Sequence, residues 1–191
     1  DRMNGRLAWY LSRSSGWVAF VLLALTVIWG VLGISRIIER RGLPRWLLDL
    51  HRHLAFLTVA LTAVHLGALV ADNWVHVAWR EVFVPRAISY RPGAVAWGVV
   101  AMYLLIVLQV SSWCRAKLPR AWWRGLHLLS YPAVWLVAVH GVQAGTDASN
   151  RVVRYGLVVV VGAVAFFTLL RVLGAGERSR RTVVPDVPAS P

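Results

Sequence analysis

Acidic residues are scarce in this chain, with 8 Asp and Glu against 21 Lys and Arg among 191 residues, and the four charged types together make up only 15%. Soluble globular domains carry about a quarter charged residues, so that class is disfavoured. Cysteine is scarcer still: the single Cys114 excludes an internal disulfide. The apolar runs lack period-2 alternation and are about twice the ~10 residues of a transmembrane barrel strand, which excludes a β-barrel. No Gly-rich nucleotide fingerprint occurs, so no flavin or nicotinamide fold is expected in these residues.

What is present is hydrophobicity, at 58% of residues with a mean hydropathy of +0.60. A helix crossing the ~30 Å hydrocarbon core needs ~20 mostly apolar residues in a row. Uncharged runs of 22, 19, 23 and 22 residues separate Arg13 from Arg36, Arg52 from Asp72, Arg91 from Arg115, and Arg124 from Asp147. A fifth run, from Tyr155 to Leu170, spans if Arg171 snorkels and the helix continues to about Gly174. The expected fold is an all-α membrane bundle of about five transmembrane helices. The first span is long for a signal-peptide core and lacks a small-residue cleavage pattern, so it reads as a retained helix.

The net charge of +13 does not point to nucleic acid, because the basic residues lie in short connectors between apolar spans. The connectors after the first and third spans and the C-terminal side hold 13 of the 21 Lys and Arg. The positive-inside rule then places the N-terminus outside and the C-terminus in the cytoplasm, in a plasma (inner) membrane. Residues 1–15, with Trp9 and Tyr10, read as an interfacial segment, 16–174 as the transmembrane domain, and 175–191 as a disordered cytoplasmic tail. The connector from Glu39 to Leu50, with its Arg-Arg-Gly-Leu-Pro, reads as a cytoplasmic turn leading into an interfacial helix start. The connector from Asp72 to Pro92, rich in aromatics such as Trp74 and Trp79, reads as a surface-lying outer cap or docking surface.

Four of the six histidines form two pairs, His51 with His65 and His127 with His140, separated by 14 and 13 residues. At 1.5 Å per residue the separations are rises of ~21 and ~20 Å, so two levels on one helix match two levels on the other. Both helices run in the same direction, which sets His51 level with His127 and His65 with His140. Facing imidazoles can fill both axial positions of a haem iron, an arrangement suited to electron transfer. No Cys-x-x-Cys-His is present, so any haem is non-covalent. Ala55, Ala60, Ala63 and Gly67, with Gly125, Ala133, Ala138 and Gly141, leave space for a flat macrocycle between the helices.

The angular relation is uneven. Fourteen residues bring His65 within ~40° of His51 on an ideal helix, whereas thirteen leave His140 ~140° from His127. Pro132, between the second pair, can kink that helix and re-aim one imidazole. A single intramembrane histidine is equally an interhelical hydrogen-bond partner or proton relay; four at matched depth favour haem. His53 lies ~120° around the helix from His65 and reads as a supporting or surface group, and His76 as a loop residue. Anionic haem carboxylates would find Arg52 and Arg124 at the cytoplasmic level and Arg86, Tyr90 and Arg91 at the outer level. Each of those arginines is equally a topology signal.

These residues resemble the ferric-reductase-like transmembrane domain family, which includes ferric reductases, NADPH oxidases and the haem subunit of a periplasmic methionine-sulfoxide reductase. The match rests on His51 followed by Arg52, the 14-residue step to His65 and the 13-residue step from His127 to His140. WYLSRSSGWVAF near the start, SYRPG before the third span and HGVQAGTDA after the fourth are similar to bacterial stand-alone members. The resemblance covers roughly residues 8 to 173. It implies two stacked b-type haems on His51, His65, His127 and His140, carrying electrons from a cytoplasmic donor outward. The family core commonly has six helices, against five counted here, the first of the six having no counterpart among these spans. The implied donor is a separate flavin reductase or membrane quinol, with quinone as a further cofactor in the second case. The implied acceptor is an extracytoplasmic partner protein, ferric iron or oxygen. The competing reading is a structural membrane subunit of a larger complex, with or without haem.

Overall fold

A computed structural model describes residues 2–34, 45–72, 77–146 and 150–181, with side chains from 7 to 173 within those ranges. Of the connector expected over Glu39 to Leu50, residues 39–44 lie outside the described residues, as do Trp74, His76 and the tail from 182 onward, while 45–50 opens a long helix. The described residues are 88% helical and include no strands. In order, the elements are α1 (Arg2–Ile34), α2 (Arg45–Ala71), α3 (Trp79–Phe83), α4 (Pro92–Trp113), a 3₁₀ turn (Arg115–Lys117), α5 (Arg120–His127), α6 (Ser130–Ala144) and α7 (Arg151–Arg181). Among the described residues, five spans are long and apolar enough to cross a membrane: Leu7–Gly33, Arg45–Ala71, Pro92–Trp113, Arg120–Ala144 and Arg151–Leu173. The protein is a multi-pass membrane protein.

α2 packs principally on α1 and α6 principally on α4, while α1 also meets α6 and α7. α2 makes no substantial contact with α5 or α6, so the helices that carry the paired histidines face across a gap. Ser12 meets His65 and Thr26 meets His51, so α1 and α2 are antiparallel. Ala94 meets His140, so α4 and α6 are antiparallel too. Lipid tails are as apolar as leucine, so close approach of small residues holds such helices together more than expulsion of apolar surface from water does. Ala24, Ala101 and Ala133 are almost completely buried at these contacts, and Phe20, Leu23, Val27, Val134, Ala138 and Val164 fill the junction of α1, α6 and α7. Phe56, Val159 and Phe166 are exposed on what would be the lipid-facing surface.

The connector after α2 folds back over one end of the bundle. Val77, Val82 and Ile88 pack against Val99 and Met102 of α4, with Leu66 and Val70 of α2 beside them. This capped end contrasts with the basic end, where Arg45, Arg52, Arg115, Lys117, Arg120 and Arg124 cluster at helix termini. Trp79 and Phe83 of α3 remain exposed.

Three boundaries differ from the sequence reading. Residues 2–15 of the expected interfacial N-terminal segment join α1, one continuous helix from Arg2. The fourth span is two helices rather than one kinked helix. Pro132 offers no N–H to the carbonyl of Leu128, and its ring crowds that carbonyl. The chain tightens there into i→i−3 bonds, Leu129 N–H to Leu126 O at 3.0 Å and Tyr131 N–H to Leu128 O at 3.2 Å. Finally, α7 runs past Gly174 and Gly176 to Arg181, so residues 175–181, expected in the tail, are helical. Glu177 and the arginines after it are good helix formers that offset the ~1 kcal/mol cost of each glycine.

Candidate haem sites

The fold brings the four paired histidines together at two levels. At the basic end the rings of His51 and His127 lie with centroids 6.0 Å apart and planes tilted by 58°. Two metal–imidazole bonds of ~2 Å, plus about 1 Å from each nitrogen to its ring centre, would separate two axial imidazoles by roughly 6 Å. At the capped end His65 and His140 line one cavity of about 540 Å³, within the usual range for a small-molecule or cofactor site. Its walls are mostly apolar or small: Thr58 and Thr62 from α2, Ala101 and Leu105 from α4, Ala138 and Gly141 from α6.

Three of the four imidazoles are oriented by the backbone. His65 Nδ1 lies 2.6 Å from Ser12 O, His51 Nδ1 3.1 Å from Thr26 O, and His140 Nδ1 2.9 Å from Ala94 O. A carbonyl can only accept, so each Nδ1 carries the proton and donates it. Each Nε2 is thereby left as a lone pair, the tautomer a metal requires, with its basicity raised by the bond on the far side of the ring. His127 is different. Its Nδ1 is buried with no hydrogen-bond partner, as is Nε1 of Trp123. Trp123 stacks on the His127 ring at 5.0 Å and 26°. Native interiors rarely leave such atoms unpaired, so this end has room in its hydrogen bonding for a further group.

The other residues singled out from sequence divide. Arg52 is exposed and 3.3 Å from Asp49, and Arg124 and His53 are exposed at the same end. Arg91 donates to Gln143 O at 2.6 Å and Tyr90 to Ala144 O at 3.2 Å. Both thus tie the start of α4 to the last carbonyls of α6, which would otherwise lack partners. Of the three outer-level groups only Tyr90 lines the cavity; Arg86 is exposed on the connector. The cation on the cavity wall is Arg13 of α1, which the sequence reading missed. It stands 4.3 Å from the Trp9 ring and hydrogen-bonds Thr146 Oγ1. Its position at the last charge before the first apolar run was the available signal. At the basic end Arg171, half-buried, donates to the Tyr131 hydroxyl at 2.9 Å. No cluster of three or more His, Cys, Asp or Glu occurs among the described residues, so these levels offer paired imidazoles rather than a polydentate metal cage.

Among curated protein sequences and solved structures, none matches this chain. Residues 15–138 do match the family described as ferric reductase like transmembrane component. The matched stretch holds His51, His65 and His127 and ends two residues before His140, which the fold sets on the same cavity as His65. With about two thirds of its length in that match, five apolar spans and histidines gathered at two depths, the chain belongs to the family of ferric reductase-like transmembrane components, whose general role is electron transfer across a membrane.

Proposed function

We propose that this protein carries electrons across the plasma membrane through two non-covalent b-type haems, one held by His51 and His127 and the other by His65 and His140. Family membership supports haem binding in general. The observation that carries the specific assignment is the backbone anchoring of three histidines, which leaves each Nε2 as the unprotonated nitrogen a metal would need. A bound haem would supply the one-electron redox centre, and two axial imidazoles leave iron no open position, favouring electron transfer over ligand chemistry.

The chain itself orients the rings, excludes water with an apolar wall and offsets the haem carboxylates. We assign that last task to Arg13 at the capped end, since Arg91 is turned to Gln143 O, and to Arg124, Arg52 and Arg171 at the basic end. The two levels are ~21 Å apart along α2, which is unbroken between His51 and His65. Electrons would enter at the basic, cytoplasmic end from a flavin reductase or quinol and leave at the capped, outer end to a partner protein, ferric iron or oxygen.

The test is a reduced-minus-oxidised spectrum of the purified protein with its haem-to-protein ratio. Two low-spin haems per chain are expected, and His65→Ala or His140→Ala should remove one and spare the other. A preparation with no reducible haem refutes the assignment. Haem loss that is equal for ligand and non-ligand histidines, such as His53→Ala, refutes the pairing.

A further inference from the structure

We infer that Gly16, Gly30 and Gly98 are positioning residues, each a seat that admits one imidazole to the backbone carbonyl four residues earlier and so fixes the ring's plane and proton. The inference rests on the haem reading above and adds to it the residues on the facing helices that aim the ligands.

The three carbonyls that accept from histidine belong to Ser12, Thr26 and Ala94, and the residue four positions on is glycine every time: Gly16, Gly30 and Gly98. The physical reason is helix geometry. A helical carbonyl bonds the N–H at i+4 and has a second lone pair left over. The side chain at i+4 leans back toward the N-terminus and hangs over that carbonyl. A ring can reach the second lone pair only where the i+4 side chain is absent. A Cβ at Gly98 would stand 2.8 Å from Cε1 and Nδ1 of His140, one at Gly16 3.0 Å from Nδ1 of His65, and one at Gly30 3.3 Å from Cε1 of His51.

The register is shared between helices. Gly16 and Gly30 are as far apart on α1 as His51 and His65 are on antiparallel α2, 14 residues in both cases. Each histidine therefore meets its own seat. On α4 the position thirteen residues beyond Gly98 is Ser111, whose hydroxyl bonds Leu108 O at 3.1 Å. His127, thirteen residues before His140, is the ring with an unpartnered Nδ1. Three ligands are seated and the fourth is braced by Trp123 instead.

A free ring can swing away from an added methyl group, whereas a ring pinned by both iron and a carbonyl cannot. The alanine variants should therefore fold and insert while their haem changes. The experiment purifies Gly98→Ala, Gly16→Ala and Gly30→Ala, with Gly156→Ala and Gly162→Ala on α7 as controls, because a Cβ at either control meets nothing within 4 Å. Readouts are haem per chain, the low-temperature electron paramagnetic resonance signal of each haem, which reports the angle between axial ring planes, and each midpoint potential.

Gly98→Ala and Gly16→Ala should shift or delete the signal of the His65/His140 haem alone. Gly30→Ala should shift the His51/His127 haem alone, and less, in line with its longer contact. Controls should match the wild type. Two haems with unchanged signals and potentials in Gly98→Ala overturn the seat inference and leave the haem reading standing. Equal losses in seats and controls also overturn it, by reducing the effect to general helix packing. A wild-type chain without haem overturns both.

Discussion

Replacing Trp123 by phenylalanine should act in opposite directions on the ligand-free and haem-loaded protein. The Trp123 ring stacks on His127 at 5.0 Å, the Arg115 guanidinium lies 5.9 Å from the Trp123 ring centroid, and the indole Nε1–H is buried without an acceptor. An unsatisfied buried donor costs ~1–3 kcal/mol. Phenylalanine removes that donor and keeps a ring able to stack, a contact worth ~0.5–1.5 kcal/mol. The smaller ring forfeits about 1 kcal/mol of apolar burial at most, and less where lipid replaces water. The net change without haem is therefore from zero to about 2 kcal/mol of stabilisation. With haem bound, an anionic oxygen arriving at this end can accept from Nε1, and a hydrogen bond to a charged group is worth ~1.5–3 kcal/mol. Losing it should weaken haem binding at the His51/His127 level by ~10- to 150-fold. Thermal unfolding of the haem-free protein in detergent measures the first effect, and haem titration the second. Trp123→Ala, which loses the stack as well, should be worse in both. If Trp123→Phe destabilises the haem-free protein by more than ~1 kcal/mol, the indole already has a partner. If haem affinity does not change, the orphaned donor has nothing to do with the haem.

Three further outcomes test the fold. Tyr90→Phe and Arg91→Ala should each cost ~1 kcal/mol in detergent unfolding by freeing the Ala144 and Gln143 carbonyls, with both haems retained because neither residue is a ligand. Ala133→Leu, at a position with 0% exposure, should cost ~1–3 kcal/mol through overpacking, whereas Ala121→Leu, on an exposed position of α5, should be neutral in the same measurement. Pro132→Ala should let α5 and α6 fuse into one regular helix and turn His127 away from His51. The expected result is loss or an altered spectrum of the haem at that end, and an unchanged spectrum would show that the break does not set the ring's aim.

Charge spacing made the five spans legible, because a lone Arg or Asp inside hydrocarbon is costly enough to be nearly forbidden there. The same logic misjudged helix ends in water. Nothing in a span count says that residues 2–15 continue α1 or that α7 runs on to Arg181, since a helix may project beyond its apolar stretch. The histidines were legible as pairs, because separation along a helix converts directly into depth. Their facing partners were not. Gly16 and Gly30 look like ordinary small residues until α2 is laid antiparallel on α1, and Arg91 looks like a carboxylate partner until the C-terminus of α6 is set beside it. Such roles depend on which helix is the neighbour, and that information is tertiary.

The unequal steps of 14 and 13 residues show how the two levels are reconciled. On α2, 14 residues of unbroken helix bring both histidines to nearly one face, and both donate to the same neighbour, α1. The 13-residue step would leave His127 and His140 on nearly opposite faces of an ideal helix. Residues in the i→i−3 turn around Leu128 to Tyr131 advance ~120° each instead of ~100°, which recovers ~40–60° over the few positions involved. The remainder is absorbed by using different neighbours. His140 leans on α4 through Ala94, and His127 leans on Trp123 of its own helix while facing His51. Pro132 is thus more than a tolerated irregularity. It reconciles a spacing that is wrong for one face with a fold that sets His127 beside His51 and His140 on the cavity it shares with His65, at the cost of one histidine without a backbone anchor.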